Sequence, residues 1–221
     1  MIRFVVANRT LKGVFVLDIL GFSPNQVLDL RVISCRLNSG QSTKDCLAEM
    51  STTALDDNTR NAMSRVSEKF NAEPTLSKAL KAEDRPWDSP LFAHLVSKGE
   101  TDGVLEEAFA ELTRYFDWRA GASESMNEEA IWFRTLGLAL TSWLPILEAL
   151  SIAGEEVSSP QLKEATQAIS EKFRNGDMRR LDIVGYAFEP WTQSLFQCGE
   201  DTGTLDEICY QIADIQLTRP A

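Results

Sequence analysis

The sequence predicts an all-α fold of two tandem helical bundles, each with about six helices. The first observation is helical spacing on one face of a predicted helix, formed by Thr59, Ala62, Met63, Val66 and Phe70. The second is the return of this face about a hundred residues later. There it consists of Leu162, Ala165, Thr166, Ile169 and Phe173.

A loop sequence that occurs twice is the third observation. GETDGVL at residues 99–105 returns as GEDTGTL at residues 199–205, 100 residues later. Upstream, VSEKF at residues 66–70 returns as ISEKF at residues 169–173, 103 residues later. Repetition over this distance indicates a tandem domain duplication, because solenoid repeats have periods of roughly 20–50 residues.

The repeat sets the predicted domain boundaries. The first bundle is expected at residues 23–120 and the second at residues 128–221, with the small and polar stretch 121–127 as the linker. Residues 1–22 lie outside the repeat, and we expect them to pack on the first bundle as an N-terminal extension. Their β-prone residues favour a short hairpin, and a first helix is the alternative.

Proline and glycine mark the last two helices of each bundle. Proline is tolerated in the first turn of a helix, and glycine suits a left-handed cap at its end. We therefore expect helices at residues 90–99 and 190–199, each capped by its final glycine. Asp102 and Thr202 are then expected to cap the N-terminus of the last helix in each bundle.

The most apolar stretch, residues 131–150, is interpreted as two buried helices that meet at Ser142 and Trp143. It contains Arg134 and Glu148, whereas a membrane-spanning helix needs about 20 nearly uninterrupted apolar residues. No direct insertion into a membrane is therefore expected. Four of its residues are expected in the core of the second bundle: Trp132, Phe133, Leu136 and Leu140.

Charge and cysteine content exclude several classes of function. The net charge of −11 argues against binding to nucleic acid, which needs a basic face, and against unaided binding to anionic lipid. Four cysteines and one histidine, without a CxxC pair, do not provide the ligands of a zinc site. The cysteines are expected to be reduced, as in an intracellular protein.

The repeated motifs are similar to those of the type II secretion protein F domain. The family's Gly-Glu-x-(Ser/Thr)-Gly-x-Leu turn corresponds to residues 99–105 and 199–205. A small-residue break followed by Leu-x-x-Ala-Leu corresponds to residues 142–150. A Ser-Leu-Ser-x-Ala-Leu motif corresponds to residues 75–80, and a Phe-Pro pair to residues 188–190.

This resemblance implies a non-enzymatic scaffold or adaptor, since the family includes the inner-membrane platform proteins of type II secretion and type IV pili. The implied partners are proteins, such as the assembly ATPase and membrane platform subunits, and a homodimer is compatible with that role. The implied location is the cytoplasm, next to the inner membrane through a partner. The chain resembles a duplicated version without transmembrane helices, and Trp143 takes the place of the family's usual glycine.

Glu100 and Glu200, in the repeated turns, are the first candidates for a site. One interpretation is structural: each carboxylate accepts hydrogen bonds from backbone N–H groups at the start of the following helix. The alternative is a regulatory module that binds a small ligand or a divalent cation such as calcium, with Asp102 and Asp201 as further ligands. The candidate motif and interaction residues are Gly99, Glu100, Gly103, Leu105, Gly199, Glu200, Gly203, Leu205 and Trp143.

Catalysis is not predicted. The repeated turns lack the lysine of a phosphate-binding loop, and no nucleophile accompanies their carboxylates. His94 has Ser194 as its counterpart in the repeat and is interpreted as an ordinary helix residue. We therefore expect no enzymatic activity and no cofactor. Trp143, at the junction of two predicted helices, is the first candidate for an exposed aromatic residue at a protein contact.

Overall fold

The computed structural model describes residues 23–81, 83, 87, 89–121, 127–176, 181, 183, 185–186 and 188–218. These residues form eleven α-helices and no β-strand, which confirms the predicted all-α class for this part of the chain. The chain divides into two compact units, residues 1–124 and 125–221. The predicted N-terminal extension, residues 1–22, lies outside the described residues.

Among the described residues of the first unit there are six helices, α1 to α6 in chain order. They are α1 (Pro24–Asn38), α2 (Thr43–Thr53), α3 (Asp57–Ala72), α4 (Leu76–Leu80), α5 (Pro90–Asp102) and α6 (Leu105–Gly121). The described part of the second unit contains five helices. They are α7 (Glu128–Thr141), α8 (Ile146–Glu155), α9 (Pro160–Arg174), α10 (Pro190–Thr202) and α11 (Leu205–Thr218).

Short polar side chains set most of the helix starts. Ser23, Ser89 and Ser159 each accept a hydrogen bond from a backbone N–H in the first turn, and proline follows each of them. This combination satisfies an N–H group that has no partner within the helix. Of the predicted linker 121–127, Gly121 ends α6 and Asn127 caps α7.

Four pairs of neighbouring helices occur in both units. In the first unit, α1 packs against α2 and α6, α2 against α3, and α5 against α6. In the second unit, α7 packs against α8 and α11, α8 against α9, and α10 against α11. The first and last helices of a unit are thus direct neighbours. The duplication predicted from the sequence would explain why both units have this order, and it stays a prediction.

Large apolar side chains fill the core of each unit. In the first unit the most buried include Leu30, Met50, Met63, Val66, Leu91, Phe92 and Leu112. In the second unit they include Trp132, Phe133, Leu136, Leu150, Ile169, Phe196 and Ile212. The expectation for Trp132, Phe133 and Leu136 is confirmed, but Leu140 is only half-buried because it lies in the last turn of α7, next to an exposed bend.

Among the described helices, none combines the length and the apolar character needed to cross a membrane. The apolar stretch at 131–150 is divided between α7 and α8. The two helices are joined by a bend at residues 142–145, as the sequence predicts.

A buried hydrogen bond joins α7 to α9. The Trp132 indole N–H donates to the Thr166 hydroxyl at 2.8 Å, and both residues are buried. The Thr166 hydroxyl in turn donates to the carbonyl of Leu162 at 2.7 Å. Thr166 also contacts the backbone at Gly154, where an added Cβ would lie 3.1 Å from its Cγ2.

Replacing Thr166 with Val should lower the free energy of unfolding by about 1–3 kcal/mol, because the indole N–H of Trp132 stays buried but loses its hydrogen-bond acceptor. Urea unfolding followed by tryptophan fluorescence measures the change. Thr166→Ser is the matched control, since it keeps the hydroxyl and should lose less stability. A valine variant as stable as the wild type would show that this hydrogen bond has no net effect.

Candidate functional site

The two repeated turns join α5 to α6 and α10 to α11. Gly103 and Gly203 end their helices in the left-handed conformation, with φ of 74° and 73°. The next backbone N–H, at residue 104 or 204, donates to the carbonyl of Gly99 or Gly199 at 2.9 Å. Each turn is therefore a glycine cap of the Schellman type, which bonds carbonyls that the helix leaves free.

Gly99 and Gly199 have a different role from the predicted one. They are helical and lie one turn before the cap, so the predicted helix ends at 99 and 199 are wrong. A Cβ on Gly99 would lie 2.8 Å from the Cβ of Ala108, and one on Gly199 would lie 3.0 Å from the Cβ of Ile208. Glycine is needed there because the following helix crosses at contact distance.

The Glu100 carboxylate caps a different helix from the one expected. One oxygen accepts the Leu76 N–H, and the other accepts the Ser77 N–H at 3.0 Å and the Ser77 hydroxyl at 2.6 Å. These N–H groups belong to the first turn of α4, where Thr75 gives no side-chain cap. Glu100 therefore replaces the missing N-cap of α4 from 24 residues further along the chain.

Glu200 makes the corresponding contact in the second unit. Its Oε1 accepts the N–H of Leu181 at 2.6 Å. Leu181 lies ahead of α10 as Leu76 lies ahead of α5, so in each unit the repeated glutamate bonds a segment that precedes its own helix. The predicted charge-assisted bond to backbone N–H groups is thus present in both units, but it goes to the preceding segment and not to the following helix.

The remaining residues of the turns have local contacts. Asp102 is the last residue of α5, where its carboxylate pairs with Lys98 at 2.5 Å. Thr202 is the last residue of α10, and its hydroxyl donates to the carbonyl of Cys198 at 2.8 Å. Neither is the N-cap that the sequence predicts, because the left-handed glycine follows them and the last helices begin at Leu105 and Leu205.

The cation hypothesis requires several convergent oxygen ligands. Glu100 directs both carboxylate oxygens to the start of α4, and Asp102 pairs with Lys98. Within the described ranges, no group of three or more His, Cys, Asp or Glu side chains is arranged to hold a metal ion. The geometry of the first turn thus favours the structural interpretation over a calcium site.

Trp143 lies in the bend between α7 and α8 and is 86% exposed, which confirms the exposed position predicted for it. Its φ of 59° makes it the one positive-φ residue other than glycine in the part of the chain that the structure describes. Its N–H donates to the Leu140 carbonyl at 2.9 Å, and the Leu144 N–H donates to the Ala139 carbonyl at 3.1 Å. The bend is therefore another left-handed helix cap.

The equivalent bend of the first unit carries glycine. Gly40, 103 residues before Trp143, has φ of 86°. The Gly40 N–H donates to the Leu37 carbonyl at 2.9 Å, and the Gln41 N–H donates to the Arg36 carbonyl at 3.1 Å. The two bends have the same hydrogen bonds, so the backbone does not require the indole at this position.

Sequence reasoning missed two buried carboxylates of the first unit. Asp29 accepts the N–H groups of Leu55 and Asp56, at 2.8 and 3.0 Å, and so fixes the corner between α2 and α3. Glu83 pairs with Arg65 at 2.6 Å and with Lys69 at 2.7 Å. Burial would raise the pKa of Glu83, but the hydrogen bonds from the two cations prevail and lower it.

A third missed carboxylate is Glu129, in the first turn of α7. It is 5% exposed, and its Oε1 accepts the Thr192 hydroxyl at 2.7 Å and the Glu189 N–H at 3.3 Å. Burial raises the pKa of Glu129 above its ordinary value. Sequence analysis misses this residue, because a glutamate in the first turn of a helix is normally expected to be exposed to solvent.

The cysteines offer no activated nucleophile among the buried positions. All four are free, with Cys35 and Cys198 exposed and Cys46 and Cys209 buried. Burial raises the pKa of the Cys46 thiol to about 11, and it also raises the pKa of Cys209. The two buried thiols are therefore protonated at neutral pH and behave as small apolar side chains.

Comparison with known proteins finds a family to which part of the chain is similar. Residues 132–219 match the model of the family described as type II secretion system (T2SS), protein F. The type IV pilus assembly protein PilC of Thermus thermophilus is 34% identical over 83 residues. The type II secretion system protein F of Xanthomonas campestris pv. campestris is 32% identical over 82 residues. Each match covers 37% of this chain and 20% of the relative, so the chain spans a fifth of their length.

Replacing Glu100 with Ala should lower the free energy of unfolding by about 1–3 kcal/mol, because two N–H groups at the start of α4 lose their acceptor. Denaturant unfolding measures this loss, and hydrogen exchange at Leu76 and Ser77 should accelerate. Asp102→Ala, in the same turn, is the control and should change stability by less than about 0.5 kcal/mol. Equal effects of the two substitutions would contradict the capping role.

Replacing Glu129 with Gln should raise the free energy of unfolding at pH 7. The pKa of Glu129 is raised in the folded state, so the native protein binds this proton more tightly than the unfolded chain does. The stabilisation from that proton is complete below the unfolded-state pKa, about 4.3, and is lost as pH rises through the folded-state pKa. The advantage of the glutamine variant should therefore shrink as pH falls from 7 towards that value.

Gln26, 103 residues earlier and also buried, shows that an amide fits the equivalent position in the first unit. Urea unfolding of the wild type and the Glu129→Gln variant at a series of pH values gives the difference directly. A difference that does not change with pH would show that Glu129 titrates alike in the folded and unfolded chains.

Proposed function

We propose that this chain, in which residues 132–219 carry a type II secretion system protein F domain, is a non-enzymatic scaffold or adaptor of a type II secretion or type IV pilus assembly. The family match is the observation that carries the proposal. The names of the two relatives, a pilus assembly protein and a secretion system protein, point to the same class of machinery.

The contacts of the repeated turns support a scaffold over an enzyme. Glu100 and Glu200, the acidic residues that the sequence singles out, bond backbone N–H groups of their own units. Gly99 and Gly199 allow two helices to touch. These residues thus fix the relative positions of helices, and a protein that binds partners needs such a rigid surface.

We extend the proposal to residues 23–120 as a second copy of the domain. The support is the repeated order of helices, the shared neighbour pairs and the carboxylate bond made by Glu100 as by Glu200. In this proposal residues 1–22 pack on the first copy, and residues 121–127 connect the copies. A second copy of the domain would double the surface available to partners.

The partners we propose are proteins: the cytoplasmic assembly ATPase and membrane platform subunits of such a system, and a second copy of this chain. The proposed location is the cytoplasm, at the inner membrane through one of these partners. The chain spans a fifth of the length of its relatives, and these roles are inferred from the relatives.

In-cell cross-linking tests the function. A tagged full-length chain is expressed at its native level, cross-linked in intact cells and purified, and the captured proteins are identified by mass spectrometry. We expect the assembly ATPase or a platform subunit of a secretion or pilus system, enriched over a tagged unrelated acidic protein of similar size.

Reciprocal capture separates a direct partner from a neighbour. The tag is moved to the captured ATPase or platform subunit, and this chain should then be recovered from that side. Recovery of no assembly component in either direction, with the chain expressed and folded, would overturn the proposed function.

A further inference from the structure

Trp143 combines exposure with an unfavourable backbone conformation. It is 86% exposed, and its φ of 59° lies in the left-handed region, which disfavours side chains with a Cβ. The same bend in the first unit is built with Gly40. Residues held in sparsely populated backbone conformations cluster at functional sites, and the fold does not require a side chain at this position.

Acidic residues stand around the bend in the fold. The end of α7 abuts the start of α11, since the Thr141 hydroxyl donates to an Asp206 carboxylate oxygen at 3.4 Å. Asp206 and Glu207 lie in the first turn of α11, and Glu148 lies in the first turn of α8, just after the bend. Three carboxylates thus belong to the first turns of the two helices that begin next to the end of α7, α8 in the chain and α11 in the fold.

No positive charge balances them in the neighbouring sequence. Residues 135–162, which contain the bend, include no Lys or Arg, and neither do residues 181–218, which contain α10 and α11. Among the described residues, none of the three carboxylates forms an ion pair. The corner is therefore an exposed indole in a negative field, which attracts cations and repels anions.

We propose that Trp143, with Glu148, Asp206 and Glu207, forms a docking surface for a basic segment of a protein partner, called here the Trp143 corner. An arginine or lysine side chain would stack on the indole, and the carboxylates would pair with neighbouring basic groups. Arginine suits the site best, because its planar guanidinium both stacks on aromatic faces and bonds carboxylates.

Charge complementarity selects this occupant. An anionic membrane would be repelled by the same carboxylates, and a second copy would bring the same negative corner and the same net charge of −11. The first unit offers a comparison, because its bend carries Gly40 with Arg36 and Lys44 nearby in sequence. This inference rests on the proposed function only for the machinery to which the partner belongs.

Fluorescence anisotropy with defined peptides tests the corner. The probe is a labelled peptide of about 15 residues with regularly spaced arginines, and its control has glutamate in place of each arginine, both at about 50 mM salt. We expect the full-length chain to bind the arginine peptide and not the glutamate peptide. Affinity should fall as salt rises, because the charges are exposed.

Trp143→Gly is the decisive variant. Glycine prefers the left-handed bend, so the variant should unfold at the same temperature as the wild type or a higher one. Its affinity for the arginine peptide should nevertheless fall by about tenfold or more. A combined Glu148→Gln, Asp206→Asn, Glu207→Gln variant should lose affinity and also its dependence on salt. Gly40→Ala, at the bend of the first unit, should leave affinity unchanged.

Several results would overturn the proposal. Equal affinity of Trp143→Gly and wild type for the arginine peptide would show that the indole has no role in binding. Self-association of the wild type that Trp143→Gly abolishes, without peptide binding, would assign the corner to a second copy. Flotation of the purified chain with anionic vesicles, lost in Trp143→Gly, would assign it to a membrane.

The same variant separates this inference from the proposed function. If assembly components cross-link equally to the wild type and to Trp143→Gly in cells, the docking inference fails and the scaffold function stands. If the wild type binds the arginine peptide through Trp143 but no assembly component cross-links, the docking surface stands and the proposed function fails.

Discussion

The backbone N–H groups at the start of α4 have no acceptor from their own N-cap residue. The contact between α4 and the helices that follow it depends on an acceptor from elsewhere in the chain. Glu100 supplies the acceptor from α5, which joins α4 to α5. One residue earlier in the chain, Gly99 brings α5 against α6. Two adjacent residues thus connect three helices, one by charge and one by the absence of a side chain.

Several of the 33 acidic residues have structural roles inside the units. Asp29 bonds two N–H groups at the corner of α2 and α3, Glu200 bonds Leu181, and Glu129 bonds Thr192. A carboxylate can accept several hydrogen bonds at once, so it suits places where short helices leave N–H groups unpaired. The protein thus uses carboxylates to bond N–H groups at helix starts and corners, which the carbonyls of the same helix cannot reach.

The sequence predicts the helical class, the starts of α5 and α10 at proline, and three of the four expected core positions of α7, because residue spacing and helix-start residues are local signals. It does not predict that Gly99 and Gly199 serve close packing, since glycine provides both a left-handed cap and space for a neighbour. It also misassigns the target of Glu100, because Leu76 is 24 residues away and nothing local marks the contact. The long-range hydrogen bonds of Glu100 and Glu200 can be identified only in the three-dimensional structure.

The four cysteines are distributed so that each unit can be labelled and its unfolding followed through natural thiols. Each unit holds one thiol at the surface, Cys35 or Cys198, and one thiol in the core, Cys46 or Cys209. A maleimide dye would thus attach once per unit to the native protein without any engineered residue. The two core thiols become available only when their own unit opens, so the uptake of further reagent would report, unit by unit, on how the chain loses its structure.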